Sequence, residues 1–182
     1  MRGYFYYNSF AGNHFDISTW VAIIAAFAAI AAAVAAFWQA NGLKLSIKAE
    51  TLLKFIDRFE SQNFKAARKT ATLACHTMLK DKNPGIDVDD VLDFFEDVSF
   101  MVEKQALDEE MVWHAFYHWM RLYYQASATY INERRQEEPT VWKYFICLYP
   151  RLNALERSNS FGQYKEILDD AELKKQLEDE LN

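Results

Sequence analysis

The stretch WVAIIAAFAAIAAAVAAFW, residues 20–38, decides how this chain is read: it holds no charge, and about half of it is alanine. A bilayer core takes about 20 apolar residues of helix, and the run just reaches that length. Its flanks favour a span over a soluble core helix. Asp16, Ser18 and Thr19 offer N-cap oxygens, Trp20 and Trp38 stand where interfacial aromatics belong, and Gly42 followed by Lys44 marks the exit. A signal peptide would carry basic residues before the run and a cleavage site after it. Here Arg2 is the only Lys or Arg in the first nineteen residues, and the AxA pattern lies inside the run. We therefore expect an uncleaved anchor and three parts: an outward-facing aromatic leader (1–19), a transmembrane helix (20–42) and a cytoplasmic helical domain (43–182).

Orientation follows from the basic residues. Lys44, Lys48, Lys54 and Arg58 crowd the C-terminal side, which predicts a single-pass bacterial inner-membrane protein with its N-terminus outside. The leader's Tyr4, Phe5, Tyr6, Tyr7, Phe10 and Phe15 suit the outer interface.

Val21, Ile23, Ile24, Phe27, Ile30, Val34 and Phe37 together favour insertion by roughly 2 to 4 kcal/mol, because each such residue contributes a few tenths. That is little for a lone anchor. The bulky Ile23, Phe27, Ile30, Val34 and Phe37 recur at a period near 3.5, whereas Ala22, Ala25, Ala29, Ala32 and Ala36 leave the other side smooth. Small residues three and four apart let backbones approach in lipid, where van der Waals contact drives association. The pattern favours a homo-oligomer, with a monomeric tether as the alternative. A pore would need a hydrophobic gate at Phe27 or Phe37, with Ser18 and Thr19 at the outer mouth and Gln39 and Asn41 at the inner one.

The rest of the chain reads as all-α, since five Gly and three Pro in 182 residues are too few for a turn-rich β fold. An amphipathic helix carrying Leu43, Ile47, Leu52, Phe55, Ile56 and Phe59 continues from the span, predicting a rigid link. Ser61 caps a second helix with Phe64, Ala67, Leu73, Met78 and Leu79, ending at KDKNPG. A third follows from DVDDVLDFF. Asp108 is expected to cap one long helix through INERRQEE, with a stripe of Met111, Val112, Ala115, Phe116, Trp119, Leu122, Tyr123, Ala126 and Tyr130. Pro139 is placed to start another helix, interrupted near Pro150, and DDAELKKQLEDELN forms a charged terminal helix. Cys75 and Cys147, far apart in separate helices, read as core residues of a reducing compartment.

The segments FFEDVSFMVEKQALDEEMVWHAFYHWMRLYY, INERR and VWKYFICLYPRL resemble an uncharacterised bacterial family with one N-terminal transmembrane helix and a helical cytoplasmic domain. The build is also similar to small membrane effectors of bacterial anti-phage systems, including the DNA-oligomer-gated Hailong type. That resemblance implies an ion channel of transmembrane helices under the control of a cytoplasmic sensor. It implies no catalytic residue, and the aromatic leader departs from the usual pattern.

Chemistry candidates are few. His114 and His118 share a helical face at metal-ligand spacing, but the glutamate of HExxH is missing, so they read as polar edges of an aromatic helix. No GxSxG and no Gly-rich phosphate loop occurs. We expect no enzyme, no metal and no cofactor. The formal net charge of −6 gives no global attraction to nucleic acid, although residues 44–82 are locally basic. Lys65, Arg68, Lys69, Arg121, Arg134 and Arg135, interleaved with Phe64, Trp119, Tyr123, Tyr124 and Tyr130, are the types that grip phosphate and stack on bases. They mark a candidate site for a nucleotide or single-stranded DNA. The bland alternative is a solvated face touching lipid headgroups. In the runner-up function, a membrane-tethered scaffold recruits a protein from the same operon and forms no pore.

Overall fold

The computed structural model describes residues 16–81, 88–159, 165 and 167–181. Most of the expected leader, including its six aromatics, lies outside these residues, as do the side chains of Met78 and Leu79 and the end of KDKNPG. Among the described residues there are seven helices and no strand: α1 (Ile17–Glu60), α2 (Gln62–Asp81), α3 (Asp89–Glu103), α4 (Glu109–Ala126), α5 (Ala128–Glu137), α6 (Lys143–Asn159) and α7 (Asp170–Leu181). The chain divides into two compact units, 1–44 and 45–182.

In the first unit the described structure is helix α1 as far as Lys44. Its one N-terminal apolar stretch is long enough to cross a membrane, and none of it is buried within the chain. Helix α1 has no break at Gly42, where an added Cβ would meet nothing within 4 Å. A single glycine costs a helix only about 1 kcal/mol relative to alanine, so good helix formers on both sides carry the backbone through.

The second unit begins in the last part of α1, which buries Phe59 and packs Leu52, Phe55 and Ile56 on the core. Ser61 ends α1 and starts α2. Its Oγ donates to the Arg58 carbonyl at 2.7 Å and accepts the Phe64 N–H at 3.3 Å, as the capping expectation requires. Helix α3 supplies Val91, Leu92, Phe94, Phe95, Val98 and Val102 to the core, and its polar edge organises the neighbours. Asp89 accepts from the Tyr130 hydroxyl at 2.7 Å, and Asp93 accepts from the Trp142 indole at 2.8 Å. Glu96 accepts the N–H groups of Tyr144 and Phe145 at 3.2 and 2.8 Å. These are among the first N–H groups of α6, which lack partners within their own helix, so a carboxylate from α3 caps α6 and complements its dipole.

Four expectations about the helices are corrected. The long helix from Asp108 divides at Ser127, whose Oγ donates back to the Tyr123 carbonyl and competes with the helical pattern, so α4 and α5 are separate. Asp108 holds the N-cap position of α4 with extended backbone but makes no side-chain cap, because its carboxylate takes Lys48 Nζ instead. The helix expected at Pro139 starts at Lys143, after a left-handed Trp142 with φ 48°, and runs through Pro150 without interruption. Pro150 is exposed, where loss of one backbone hydrogen bond is tolerated more readily than in the core.

The core is aromatic. Phe94 lies 4.7 Å from Phe64, 5.4 Å from Phe59 and 5.6 Å from Phe116, with rings tilted or edge-on, as their quadrupoles prefer. Phe95 stacks on Phe145 at 5.5 Å and so joins α3 to α6. Phe94→Ala is expected to cost about 3 to 5 kcal/mol, as phenylalanine truncations in a packed core do. Leu73→Ala, at a position 51% exposed, is expected to stay within about 0.5 kcal/mol of the parent. Denaturant unfolding of the detergent-solubilised chain measures both.

Candidate functional site

Most of the basic residues picked out by type are held by separate partners and do not converge on one site. Lys65 pairs with Glu60 at 2.9 Å and Lys69 is exposed on α2. Arg134 pairs with Glu137 at 3.0 Å, and Arg135 donates to the Val141 carbonyl at 2.9 Å, so these two secure the C-terminal turn of α5. Arg121 donates to the Lys165 carbonyl. Of the interleaved aromatics, Phe64, Tyr123 and Tyr130 are buried core residues that present no face to a base. Trp119 and Tyr124 are half-buried.

Arg68 is a core cation, only 7% exposed. Its guanidinium lies 4.1 Å from the Phe59 ring centroid and 5.0 Å from that of Trp119, and Nη1 is 3.2 Å from Glu180 Oε1. The pair therefore ties α2 to α7 between aromatic rings from α1 and α4. Burial raises the Glu180 carboxyl above its ordinary value; the Arg68 charge works against the shift and Glu60 adds to it. Beside this pair the Tyr123 hydroxyl is 2.9 Å from Thr72 Oγ1, and burial raises its pKa. Burial likewise pushes the Cys75 thiol up to about 12, which leaves it an unreactive core group. Cys147, expected in the core, is exposed.

Two clefts open on α4. Tyr124 stacks on Tyr149 with ring centroids 4.0 Å apart and lines an apolar cleft of about 380 Å³ with Gln125, Leu168 and Leu173. Arg121 lines a different, polar cleft of about 290 Å³ with Trp113, His114, Tyr117, His118 and Glu156. In the polar cleft the Trp113 indole donates to Glu156 at 2.9 Å and the Tyr117 hydroxyl donates to Asn153 at 2.9 Å. The Trp113 ring lies 4.5 Å from the His114 ring, and the Trp119 ring lies 5.0 Å from the His118 ring. Among the described residues no group of three His, Cys, Asp or Glu side chains is placed to hold a metal ion. The cleft sets the side-chain nitrogens of His114, His118 and Arg121 beside the Glu156 carboxylate. The type-by-type reading missed its unity: the spacing of 114, 118 and 121 was visible, but the Glu156 wall comes from α6.

The residues expected at a helix interface or pore all lie on α1. Ala22, Ala25, Ala29 and Ala36, the bulky Phe27, Ile30, Val34 and Phe37, and the polar Gln39 and Asn41 are exposed. At 3.6 residues per turn the alanines share a face.

With this architecture established, the comparisons place the chain. A domain of unknown function, DUF4760, matches residues 22–152, and the chain belongs to that family. The match runs from the apolar segment of α1 into α6. No curated protein and no solved structure matches the chain.

His118 supplies a pH test. Partial burial, and then the neighbouring Arg121 charge, lower its pKa below the ordinary 6.5. Below that ordinary value the unfolded chain takes up the proton more readily than the folded one. The stabilising contribution is therefore complete above pH 6.5 and is lost as pH falls through the folded value. Thermal unfolding at pH 7.5 and 5.5 is expected to show a smaller fall in Tm for His118→Gln than for the parent.

Proposed function

We propose that the protein is a single-pass inner-membrane effector that assembles through α1, with its N-terminus outside and the helical domain cytoplasmic. The domain binds a ligand or partner protein and sets the state of the assembled membrane helices, and the open state conducts ions in anti-phage defence. The observation that carries this reading is the apolar part of α1: none of it is buried, it is uncharged, and it is smooth on its alanine face. In lipid a small-residue face is a helix-packing surface. The lysines after residue 42 support the orientation through the positive-inside rule. A ligand that binds one assembled state better than another shifts the equilibrium by that difference in affinity, and no further machinery is required.

One observation favours a second reading, a membrane-tethered binding module without a pore. Residues 20–38 contain no side chain that would keep a lumen wet except the two tryptophan indoles at its ends. A conducting bundle must then open its hydrophobic constriction widely enough to hydrate.

Reconstitution in liposomes separates the two. Conduction predicts a homo-oligomer by mass and an ion flux that responds to a cytosolic small-molecule extract. Ala25→Leu combined with Ala29→Leu is expected to reduce association and flux together by several-fold, since added bulk separates the backbones. An oligomer that passes no ions with or without extract contradicts conduction and leaves the tethered module. A monomer contradicts assembly itself.

A further inference from the structure

The polar cleft on α4 has a register of its own. His114, His118 and Arg121 stand at i, i+4 and i+7 and follow one side of the helix for about 10 Å at 1.5 Å per residue. That is longer than one phosphate and suits two joined ones. The volume, about 290 Å³, lies at the small end of ligand sites and excludes a folded partner. The walls are already committed elsewhere: the Glu156 carboxylate accepts the Trp113 indole, and the Tyr117 hydroxyl is given to Asn153. Trp113 and Trp119 pack beside the two imidazoles. Among the described residues no carboxylate forms an ion pair with His114 or His118.

We infer that this cleft binds a small diphosphate-bearing ligand, whose oxygens are taken by the imidazoles of His114 and His118 and by the Arg121 guanidinium. Charge-assisted hydrogen bonds from a guanidinium fork and from imidazolium groups are the strong class for phosphate oxygens. Partial burial and then the neighbouring Arg121 charge lower the His118 pKa, and an incoming anion works against both, so binding favours uptake of a proton. Arg121 on α4 and Glu156 on α6 face the site beside the two imidazoles, and the Arg121 guanidinium also donates to the Lys165 carbonyl, a contact that a bound anion must share. Lys165 is itself paired with Asp169 and Glu172. Glu156 opposes an anion and sets a limit on affinity.

The inference names the ligand chemistry of the domain that the proposed effector makes responsive, and it rests on that reading for its consequence but not for binding. Inorganic pyrophosphate is the probe, titrated calorimetrically into the detergent-solubilised full chain. Saturable binding is expected at pH 6, with weaker binding when orthophosphate replaces it. Arg121→Gln and His118→Gln are each expected to weaken it by about tenfold, the loss of one charge-assisted contact. Glu156→Gln should strengthen it several-fold, an effect no folding defect produces. Absence of saturable binding at millimolar pyrophosphate, or equal affinity in all four proteins, overturns the site. Weakening in the first two variants without a gain in Glu156→Gln also overturns it. Pyrophosphate that binds as expected but leaves liposome flux at zero upholds the site and contradicts the conducting effector. Flux that responds to extract without pyrophosphate binding does the reverse.

Discussion

A contiguous apolar helical surface that the described residues of its own chain leave uncovered must be covered by something other than water. From residue 20 to residue 38 every position is exposed except Ile23, which is half-exposed, and none carries a charge. Exposed apolar patches much beyond a few hundred Å² mark interaction surfaces or aggregation liabilities in soluble proteins. In a bilayer the same surface is in its ordinary solvent, and every backbone group is already satisfied within the helix. The account of function depends on this constraint. The family match begins inside the apolar stretch at Ala22 and continues into the helical domain.

Within the helical domain a second constraint decides the packing. Arg68 has given up most of its hydration, which costs several kcal/mol unless rings and a counter-charge replace the water. Phe59 and Trp119 supply the ring faces, and Glu180 supplies the charge. Cation–ring contacts strengthen when desolvated, so the arrangement is self-consistent only with all of its members present. Glu180 belongs to α7, beyond the last residue of the family match, yet it completes a site whose other members lie inside that match. Leu173 and Leu177 bury the same helix in the common core. Helix α7 is thereby an integral part of the domain.

The helical class was legible because apolar periodicity survives in each amphipathic element, and the Ser61 cap was legible because it is local chemistry. The break at Ser127 was less so: whether a serine bonds back to its own helix depends on what its neighbours bury, and Tyr123 is fully buried there. Pro150 misled in the opposite sense, since a proline on an exposed face leaves a packed helix standing. The candidate site was legible by residue type and illegible by burial. Arginine is almost always exposed, so Arg68 read as a surface cation until the rings around it were placed. The 114, 118, 121 stripe was present in the sequence, but the wall that turns it into a cleft is contributed by Glu156, some forty residues on.

The central claim is that lipid covers residues 20–38, and alkaline carbonate extraction of membranes from cells producing the chain tests it most directly. The account predicts that the full chain stays in the membrane pellet, and that Phe27→Lys with Ile30→Lys moves it to the supernatant. Each lysine at the centre of a span costs about 2.5 to 3.5 kcal/mol on the insertion scale, enough together to outweigh the roughly 2 to 4 kcal/mol that favours insertion. Recovery of the unaltered chain in the carbonate supernatant, folded and monodisperse, would contradict the account.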